Sequence, residues 1–370
     1  MKLSRGDQRL LGLSVLVTAV AGILRYVGAG NVLPFVAAAA ALAVLALLVG
    51  RSVEALGDRL GPGMTGVVQS GLGNLPELFV SIFALRAGLV GVVQAAIVGS
   101  VLANVLLVLG LAFVAGGVKH GPQRFGADQG RMVSLLLVLA VAALMIPGLT
   151  AAMHTPAAGH ETALSIIVSI ILLVIFGLSL PAATQSQPGT TVATAKQAPA
   201  HATGEAGAGA GAGAGAHQWP MAFAIGMLAA SGVAAALVSD WFVHALEPAI
   251  GALHISETFA GLVVVAIAGN AIENVVGIQL ALRNQADYAV SVILQSPLQV
   301  VLVLAPVLVL LSHVIGGSVL TLVFPPLLLA ILALVTVLTV VVVFDGESTW
   351  LEGAILIGLY LAIASAFWWG

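Results

Sequence analysis

The chain has 370 residues, of which 60% are hydrophobic and only 7% charged, whereas soluble domains contain about 45 to 50% apolar and about 25% charged residues. Twelve Lys and Arg against fifteen Asp and Glu give a net charge of -3, and no basic block points to a nucleic-acid partner. The absence of cysteine excludes disulfides, thiolate chemistry and cysteine-bound metals. We therefore expect an all-α polytopic protein embedded in the lipid bilayer.

Apolar segments, taken in chain order, predict eleven transmembrane helices, because a helix needs about 20 residues to cross about 30 Å of hydrocarbon. The first segment is too long for the apolar region of a signal peptide and has no clear cleavage site, so we interpret it as a retained helix. The predicted spans are 10–27, 33–50, 62–86, 90–118, 132–149, 163–182, 219–243, 256–283, 287–313, 318–344 and 351–369.

Between the sixth and seventh predicted spans lies a polar stretch at 183–218 that ends in a Gly-Ala repeat. This composition cannot pack a core and is typical of a flexible linker. Lys and Arg that flank short loops stay in the cytoplasm. With the N-terminus inside, every Lys and Arg except Arg25 and Arg86 falls on the cytoplasmic side, which places the linker inside and the C-terminus outside. The short loops and the lack of targeting signals favour a bacterial cell (inner) membrane.

One motif occurs twice in the chain. Residues 73–77 read GNLPE and residues 269–273 read GNAIE, 196 positions later, and Ser296 follows Ser100 by the same distance. Spans two to six form one unit of five helices and spans seven to eleven form another. Because five is an odd number, the second unit enters the membrane from the opposite side. This predicts two inverted repeats, an arrangement in which secondary transporters bind substrate near the midplane on interrupted helices. The predicted units are an N-terminal helix at 1–30, repeats at 31–182 and 219–370, and the linker between them.

Only two acidic residues, Glu77 and Glu273, lie deep within apolar runs, one in each repeat. Burying a carboxylate at the bilayer centre costs about 2.5 to 3.5 kcal/mol, so a partner is expected. No Lys or Arg in the spans is positioned to pair with them, which leaves a bound cation or protons. A purely structural role for both carboxylates is the alternative.

Polar residues surround both glutamates at helical spacing. Asn74 precedes Glu77 by three positions and Asn270 precedes Glu273 by three, so each pair shares a helix face. Carboxylate, amide and hydroxyl oxygens without sulfur or imidazole suit hard cations, above all Ca2+, which takes about six to eight oxygen ligands. The predicted cation site comprises Glu77, Glu273, Asn74, Asn270, Ser100, Asn104, Ser296 and Gln299, with protons bound at the two glutamates. Helix capping by the asparagines and interhelical hydrogen bonding by the other polar residues are the alternatives.

Two further acids, Asp240 and Glu257, lie near predicted span ends. They are candidates for a proton route between the membrane surface and the glutamates. Solvation at the surface is the simpler alternative, because charged side chains are mostly exposed.

These residues resemble the cation/proton exchanger (CAX) family of the calcium/cation antiporter superfamily. The similar stretches are "GNLPELFVSIFALRAG" (73–88), "GSVLANVLLVLG" (99–110), "GGVKHGPQRF" (116–125), "GNAIENVVGIQLAL" (269–282), "SPLQVVLVLAPVLV" (296–309) and "DGESTWLEG" (345–353). The resemblance implies eleven spans, with the first outside the repeats, and an antiporter that binds Ca2+ or protons in turn at Glu77 and Glu273.

Three departures from the family pattern leave the preferred ion open. Leu75 and Pro76 replace Ala-Thr of the usual Gly-Asn-Ala-Thr-Glu and are closer to the motif of the sodium/calcium exchangers. Asn274 stands where the family has His, which leaves the pH response open as well. The usual Gly-Ser-Ser is Gln-Ser-Pro at 295–297.

The predicted function is exchange of Ca2+ for H+ by alternating access, in which the ion and protons compete for the paired glutamates. No resident cofactor is expected, because Ca2+ and H+ are cargo. A Na+-driven Ca2+ exchanger or a carrier of Mn2+, Mg2+ or Na+/K+ is the alternative. A channel needs weaker binding than two acids at one depth provide, and no catalytic motif such as H-E-x-x-H indicates an enzyme. The sequence leaves open whether the chain forms a homo-oligomer.

Overall fold

The computed structural model describes residues 3–57, 71–185 and 219–369, and most of them are helical. Eight of the described helices are long and apolar enough to cross a membrane. The helices are α1 (Arg5–Val27), α2 (Leu33–Gly57), α3 (Leu75–Arg86), α4 (Val90–His120), α5 (Ala127–Ala152), α6 (Glu161–Gln185), α7 (Met221–Leu253), α8 (Glu257–Gly269), α9 (Ala271–Leu282), α10 (Ala286–Ser312), α11 (Pro326–Val343) and α12 (Trp350–Ala366). Two short strands, β1 (Gln123–Arg124) and β2 (Glu347–Ser348), pair antiparallel.

This content confirms the predicted class of all-α polytopic membrane protein. The helices α8 and α9 form a pair bent by 62°, and α12 is a shorter apolar helix. The first part of the predicted third span, 62–70, lies outside the described residues. Eleven passes are consistent with these helices, but the count and the division into two repeats stay predictions.

Several helix boundaries differ from the predicted spans, for example α2, which continues past 50 to Gly57. The helix α7 continues past 243 to Leu253, because Leu246 and Ala249 keep one face buried while Glu247 is exposed. The helix α11 begins at Pro326 rather than near 318. In the preceding segment Leu320, Leu322 and Phe324 are buried, and side chains hold its backbone, for example Gln94 Nε2, which donates to the Val323 carbonyl at 2.8 Å. The predicted linker at 183–218 lies outside the described residues except for the end of α6.

Loops that the eleven-span prediction places on one side contact one another. On the predicted cytoplasmic side, β1 pairs with β2 and Lys119 Nζ donates to the Leu282 carbonyl at 2.9 Å. On the predicted outer side, the Ser318 N–H donates to the Leu85 carbonyl at 3.0 Å. These groupings agree with the predicted order of passes.

Packing brings the motif-bearing helices together at the centre. The helix α2 packs along α7, and α12 packs against the second half of α4. The first half of α4 crosses α8 at two glycines, since Gly99 faces the Leu262 backbone and Gly261 faces the Val92 carbonyl. Small residues let helix backbones approach closely in membranes. This crossing sets Ser100, the residue after Gly99, beside α8.

Candidate cation site

Both glutamates lie in the first turn of a helix that begins inside the helical bundle. The helix α3 begins after Asn74, with Pro76 in its first turn and Glu77 as its third residue. The helix α9 begins after Asn270, at the 62° bend, with Glu273 as its third residue. A proline is tolerated there because the first N–H groups of a helix have no intrahelical partner. Those groups also carry partial positive charge, which favours a carboxylate at this position.

The asparagines before these helices do not act as side-chain caps. Neither Asn74 nor Asn270 makes a capping hydrogen bond. Instead, Asn270 Nδ2 donates to the Ala266 carbonyl at 2.8 Å and to Ser100 Oγ at 3.1 Å. Asn74 Nδ2 is buried and has no hydrogen-bond partner among the described residues. Asn270 therefore satisfies a backbone carbonyl at the end of α8, as the capping alternative expects, and it also joins the side chains of the site.

Widened π-helical turns interrupt α4 and α10 at corresponding places. They cover Ala103–Val108 and Val300–Leu304, and each follows the serine of its motif, Ser100 or Ser296, by a few residues. Turns of this kind are frequent at functional sites. Asn104 lies in the first of them, and the residue 196 positions later is Val300. The polar side chain in this turn therefore comes from one half only.

A hydrogen-bonded chain links five of the predicted ligands. Ser100 Oγ donates to Glu77 Oε1, and Asn270 Nδ2 donates in turn to Ser100 Oγ. Ser296 Oγ donates to Asn270 Oδ1 at 3.2 Å. Asn104 Nδ2 lies 3.0 Å from Asn270 Oδ1 and 3.3 Å from Ser296 Oγ. We call these five residues the polar network; it joins side chains from both predicted halves.

The second carboxylate belongs to Glu273, the residue four positions after Gly269, which faces the Glu77 side chain. Glu77 is 1% exposed. Glu273 Oε2 is buried and has no hydrogen-bond partner among the described residues. Two neighbouring carboxylates cannot both stay ionised in an apolar environment without a neutralising partner. A cation or protons would supply that partner.

The site has more buried acceptors than donors. Buried polar atoms are normally hydrogen-bonded. Among the predicted site residues and their direct neighbours that the structure describes, four buried oxygens have no partner, namely Glu77 Oε2, Glu273 Oε2, Asn104 Oδ1 and Asn274 Oδ1, against one unpartnered donor, Asn74 Nδ2. The described part of the chain contains no group of three or more His, Cys, Asp or Glu residues that could hold a metal, so ligands for a cation would come mainly from amides and hydroxyls beside the two carboxylates.

The remaining predicted site residues stand apart from the polar network. Gln299 is buried, but no hydrogen bond joins it to the network among the described residues. Asp240 lies 3.8 Å from Arg25 and 3.3 Å from His244 Nδ1. Glu257 is exposed at the beginning of α8. The proton route through the two acids stays a prediction.

The structure adds neighbours of Glu77 that the sequence analysis missed. A Cβ atom at Gly269 would lie 3.3 Å from Glu77 Cβ, so the glycine of the second motif makes room for the glutamate of the first. A small cavity also borders Glu77, and its apolar walls include Leu42 of α2 and Phe242 of α7. Nothing in their sequence context distinguishes these two side chains from other core residues.

Interrupted helices and two buried carboxylates within a bundle of apolar helices are typical of a transmembrane transport protein. The family model described as sodium/calcium exchanger protein matches residues 31–184 and 223–369. The chain belongs to this family.

Similar proteins support the same grouping. The chain is 32% identical over 338 residues to the Ca2+/H+ antiporter of Aphanothece halophytica, covering 90% of this chain and 89% of that protein. It is 34% identical over 328 residues to the Ca2+/H+ antiporter ChaA of Bacillus subtilis, covering 87% and 88%. The solved structure of native YfkE matches with a TM-score of 0.78 and 29% identity, over 96% of this chain and 99% of that chain. The resemblance to cation/proton exchangers is thereby confirmed.

Proposed function

We propose that this protein is a secondary antiporter that exchanges Ca2+ for H+, with Glu77 and Glu273 as the shared binding groups. The observation that carries the proposal is the excess of buried, unpartnered oxygens around two carboxylates. Oxygen ligands of this kind suit Ca2+. The two relatives named Ca2+/H+ antiporters, at 32% and 34% identity, support the choice of cargo.

Exchange follows from the charge of the site. Two ionised carboxylates with one Ca2+ are neutral, and two protonated carboxyl groups are neutral as well, whereas the empty ionised site carries two negative charges. Each unneutralised charge at the bilayer centre costs about 2.5 to 3.5 kcal/mol. The loaded forms therefore change access much more easily than the empty one. Because Ca2+ binds only to ionised carboxylates, its binding releases protons, and protons arriving from the other side displace it.

Alternating access would come from one group of helices moving against the other around this site. The small cavity beside Glu77 is bounded by α2 and α7, which pack along each other. A joint displacement of these two helices would therefore open or close the space next to Glu77. The proposed setting is a bacterial cell membrane, with the N-terminus cytoplasmic and the C-terminus outside.

A Na+-driven Ca2+ exchanger is the second candidate. The observation that favours it is the Leu75–Pro76 pair before Glu77, which resembles the sodium/calcium exchanger motif. Na+ is also a hard cation that oxygen ligands accept. Both candidates use the same two carboxylates, and they differ in the ion that drives Ca2+ uphill.

The test is Ca2+ accumulation in inside-out membrane vesicles with an acidic interior and no Na+. Proton coupling predicts uptake that stops when an ionophore collapses the pH gradient, and no uptake in vesicles carrying Glu77→Gln at equal expression. Uptake that instead requires a Na+ gradient supports the Na+-driven Ca2+ exchanger. Vesicles that accumulate no Ca2+ under either gradient contradict both.

A further inference from the structure

The side-chain amides of Asn104 and Asn270 are each held in one orientation by a backbone carbonyl. Asn104 Nδ2 lies 2.9 Å from the Ser100 carbonyl, and Asn270 Nδ2 lies 2.8 Å from the Ala266 carbonyl. A carbonyl oxygen can only accept, so the amide atom facing it must be the NH2 group. Asn270 Oδ1 is therefore turned toward Asn104 Nδ2 and Ser296 Oγ, which both donate to it.

The NH2 group of Asn104 lies among three oxygen atoms. They are the Ser100 carbonyl at 2.9 Å, Asn270 Oδ1 at 3.0 Å and Ser296 Oγ at 3.3 Å. An amide nitrogen carries two hydrogens, so three acceptors exceed what it can satisfy with linear bonds. Several oxygens converging on one positively polarised group is also the arrangement that a hard cation requires.

These hydrogen bonds occupy Asn270 Oδ1, an oxygen that a cation would need as a ligand. Asn270 Oδ1 receives two donors in the present structure. In contrast, Asn104 Oδ1, from the same amide as the donating NH2 group, is fully buried and has no partner among the described residues. The amide thus presents its donor side to the predicted ligands and leaves its acceptor side unpaired.

We propose that Asn104 is a positioning residue that latches the cation-free site: its NH2 group stands in for the cation at Asn270 Oδ1 and Ser296 Oγ. The inference rests on the proposed cation exchange. Ca2+ must displace the amide nitrogen before Asn270 Oδ1 can bind it, so the latch lowers the apparent affinity for Ca2+. The latch acts from one half of the molecule, because the residue corresponding to Asn104 in the second half is Val300.

Removing the Asn104 amide should change Ca2+ affinity in opposite directions if Asn104 is a latch and if it is a ligand. If Asn104 chiefly competes with Ca2+, removing its amide frees Asn270 Oδ1 and tightens binding. If Asn104 chiefly binds Ca2+, removing its amide weakens binding. Because one net hydrogen bond corresponds to about a three- to tenfold change in an equilibrium constant, the expected effect is about three- to tenfold tighter Ca2+ binding.

The experiment measures the dissociation constant for Ca2+ of the purified full chain, for wild type and Asn104→Ala, together with the half-saturating Ca2+ concentration for uptake in vesicles. Both the dissociation constant and the half-saturating concentration should be lower in the variant. Asn104→Val, which copies Val300, is the second variant in case the first does not fold. Gln94→Ala is the matched control: it removes a buried amide of the same helix that donates to the carbonyls of Thr321 and Val323, and it should lower stability without changing Ca2+ affinity.

The outcomes separate the latch from the proposed function. Wild-type protein that binds Ca2+, with unchanged or weaker binding in the Asn104 variants, overturns the latch and leaves Ca2+/H+ exchange standing. Wild-type protein that neither binds nor transports Ca2+ overturns both. Tighter binding in Gln94→Ala as well would show a general loosening of the bundle, which also contradicts the latch.

Discussion

Gly269 lies directly against the side chain of Glu77, so that a Cβ atom on the glycine would stand 3.3 Å from Glu77 Cβ and 3.4 Å from its carboxyl carbon. The 3.3 Å spacing is tighter than most van der Waals contacts, so a methyl group at 269 requires the glutamate to shift by a few tenths of an ångström. The glycine of one motif therefore sets the position of the acid in the other.

The first prediction concerns this contact. Gly269→Ala should reduce Ca2+ uptake about three- to tenfold, because misplacing a functional group by about 1 Å can cost on the order of 100-fold and the shift needed here is smaller. The measurement is initial uptake rate in vesicles at matched expression. Gly226→Ala is the control, since no atom lies within 4 Å of a Cβ there. Equal uptake rates in the two variants would contradict the prediction that the contact between Gly269 and Glu77 is needed for transport.

The second prediction separates transport from stability. Glu273→Gln should abolish Ca2+ uptake, but it removes one of two repelling charges, so the Ca2+-free protein should unfold at a higher Tm than wild type. Thermal unfolding of purified protein measures the Tm. Glu247→Gln, an exposed change on α7, should alter neither property.

The third prediction concerns pH response. Asn274 follows Glu273 in the first turns of α9, and its Nδ2 donates to the Ile267 carbonyl at 3.4 Å across the bend. Asn274→His would place an ionisable ring beside the site, and a free imidazole changes charge near pH 6.5. A positive charge there repels Ca2+, so the half-saturating Ca2+ concentration should rise more steeply below about pH 6.5 than in wild type. Uptake measured from about pH 5.5 to about pH 8 checks the slope, and parallel curves would contradict the prediction.

The fourth prediction concerns Asp7 of α1, a carboxylate that accepts hydrogen bonds from Arg51 of α2 and from Trp219, which precedes α7. Trp219 Nε1 donates to Asp7 Oδ2 at 3.0 Å, and Arg51 Nε donates to Asp7 Oδ1 at 3.2 Å. Asp7 is 6% exposed, so Asp7→Ala removes two hydrogen bonds to a buried carboxylate and should cost about 1 to 3 kcal/mol. Glu54 also pairs with Arg51, at 2.8 Å, but its side chain is 41% exposed, and Glu54→Ala should cost less than about 1 kcal/mol. Thermal unfolding compares them, and equal losses of Tm would contradict the role given to Asp7.

The helices and the burial of Glu77 were predictable from sequence because both depend on local patterns. Long apolar runs must be helical in lipid, where the backbone has to satisfy its own hydrogen bonds, and Glu77 and Glu273 interrupt such runs. Helix ends were less predictable. The prediction ended α7 too early because His244 and Glu247 are polar, yet they lie on an exposed face while Leu246 stays buried.

The hydrogen bonds within the site depend on contacts between distant helices, which the spacing of residues along the sequence does not determine. Sequence spacing treated Asn104 and Gln299 as similar ligands, whereas Asn104 is central to the polar network and Gln299 makes no hydrogen bond with it in the described part of the chain. The difference arises from the π-helical turn that carries Asn104 and from the backbone carbonyls that orient the amides. Those are decided by contacts between distant helices.

The hydrogen bond from Asn270 Nδ2 to Ser100 Oγ connects residues 170 positions apart. Ribosomes add about 5 to 20 residues per second, so about 10 to 30 s separate the synthesis of the two residues. During that interval Glu77 has its partner Ser100 from the first half, while Asn270 and Ser296 have not yet been made. The polar network can therefore be completed only after residue 296 is synthesised, when the first half has already left the ribosome.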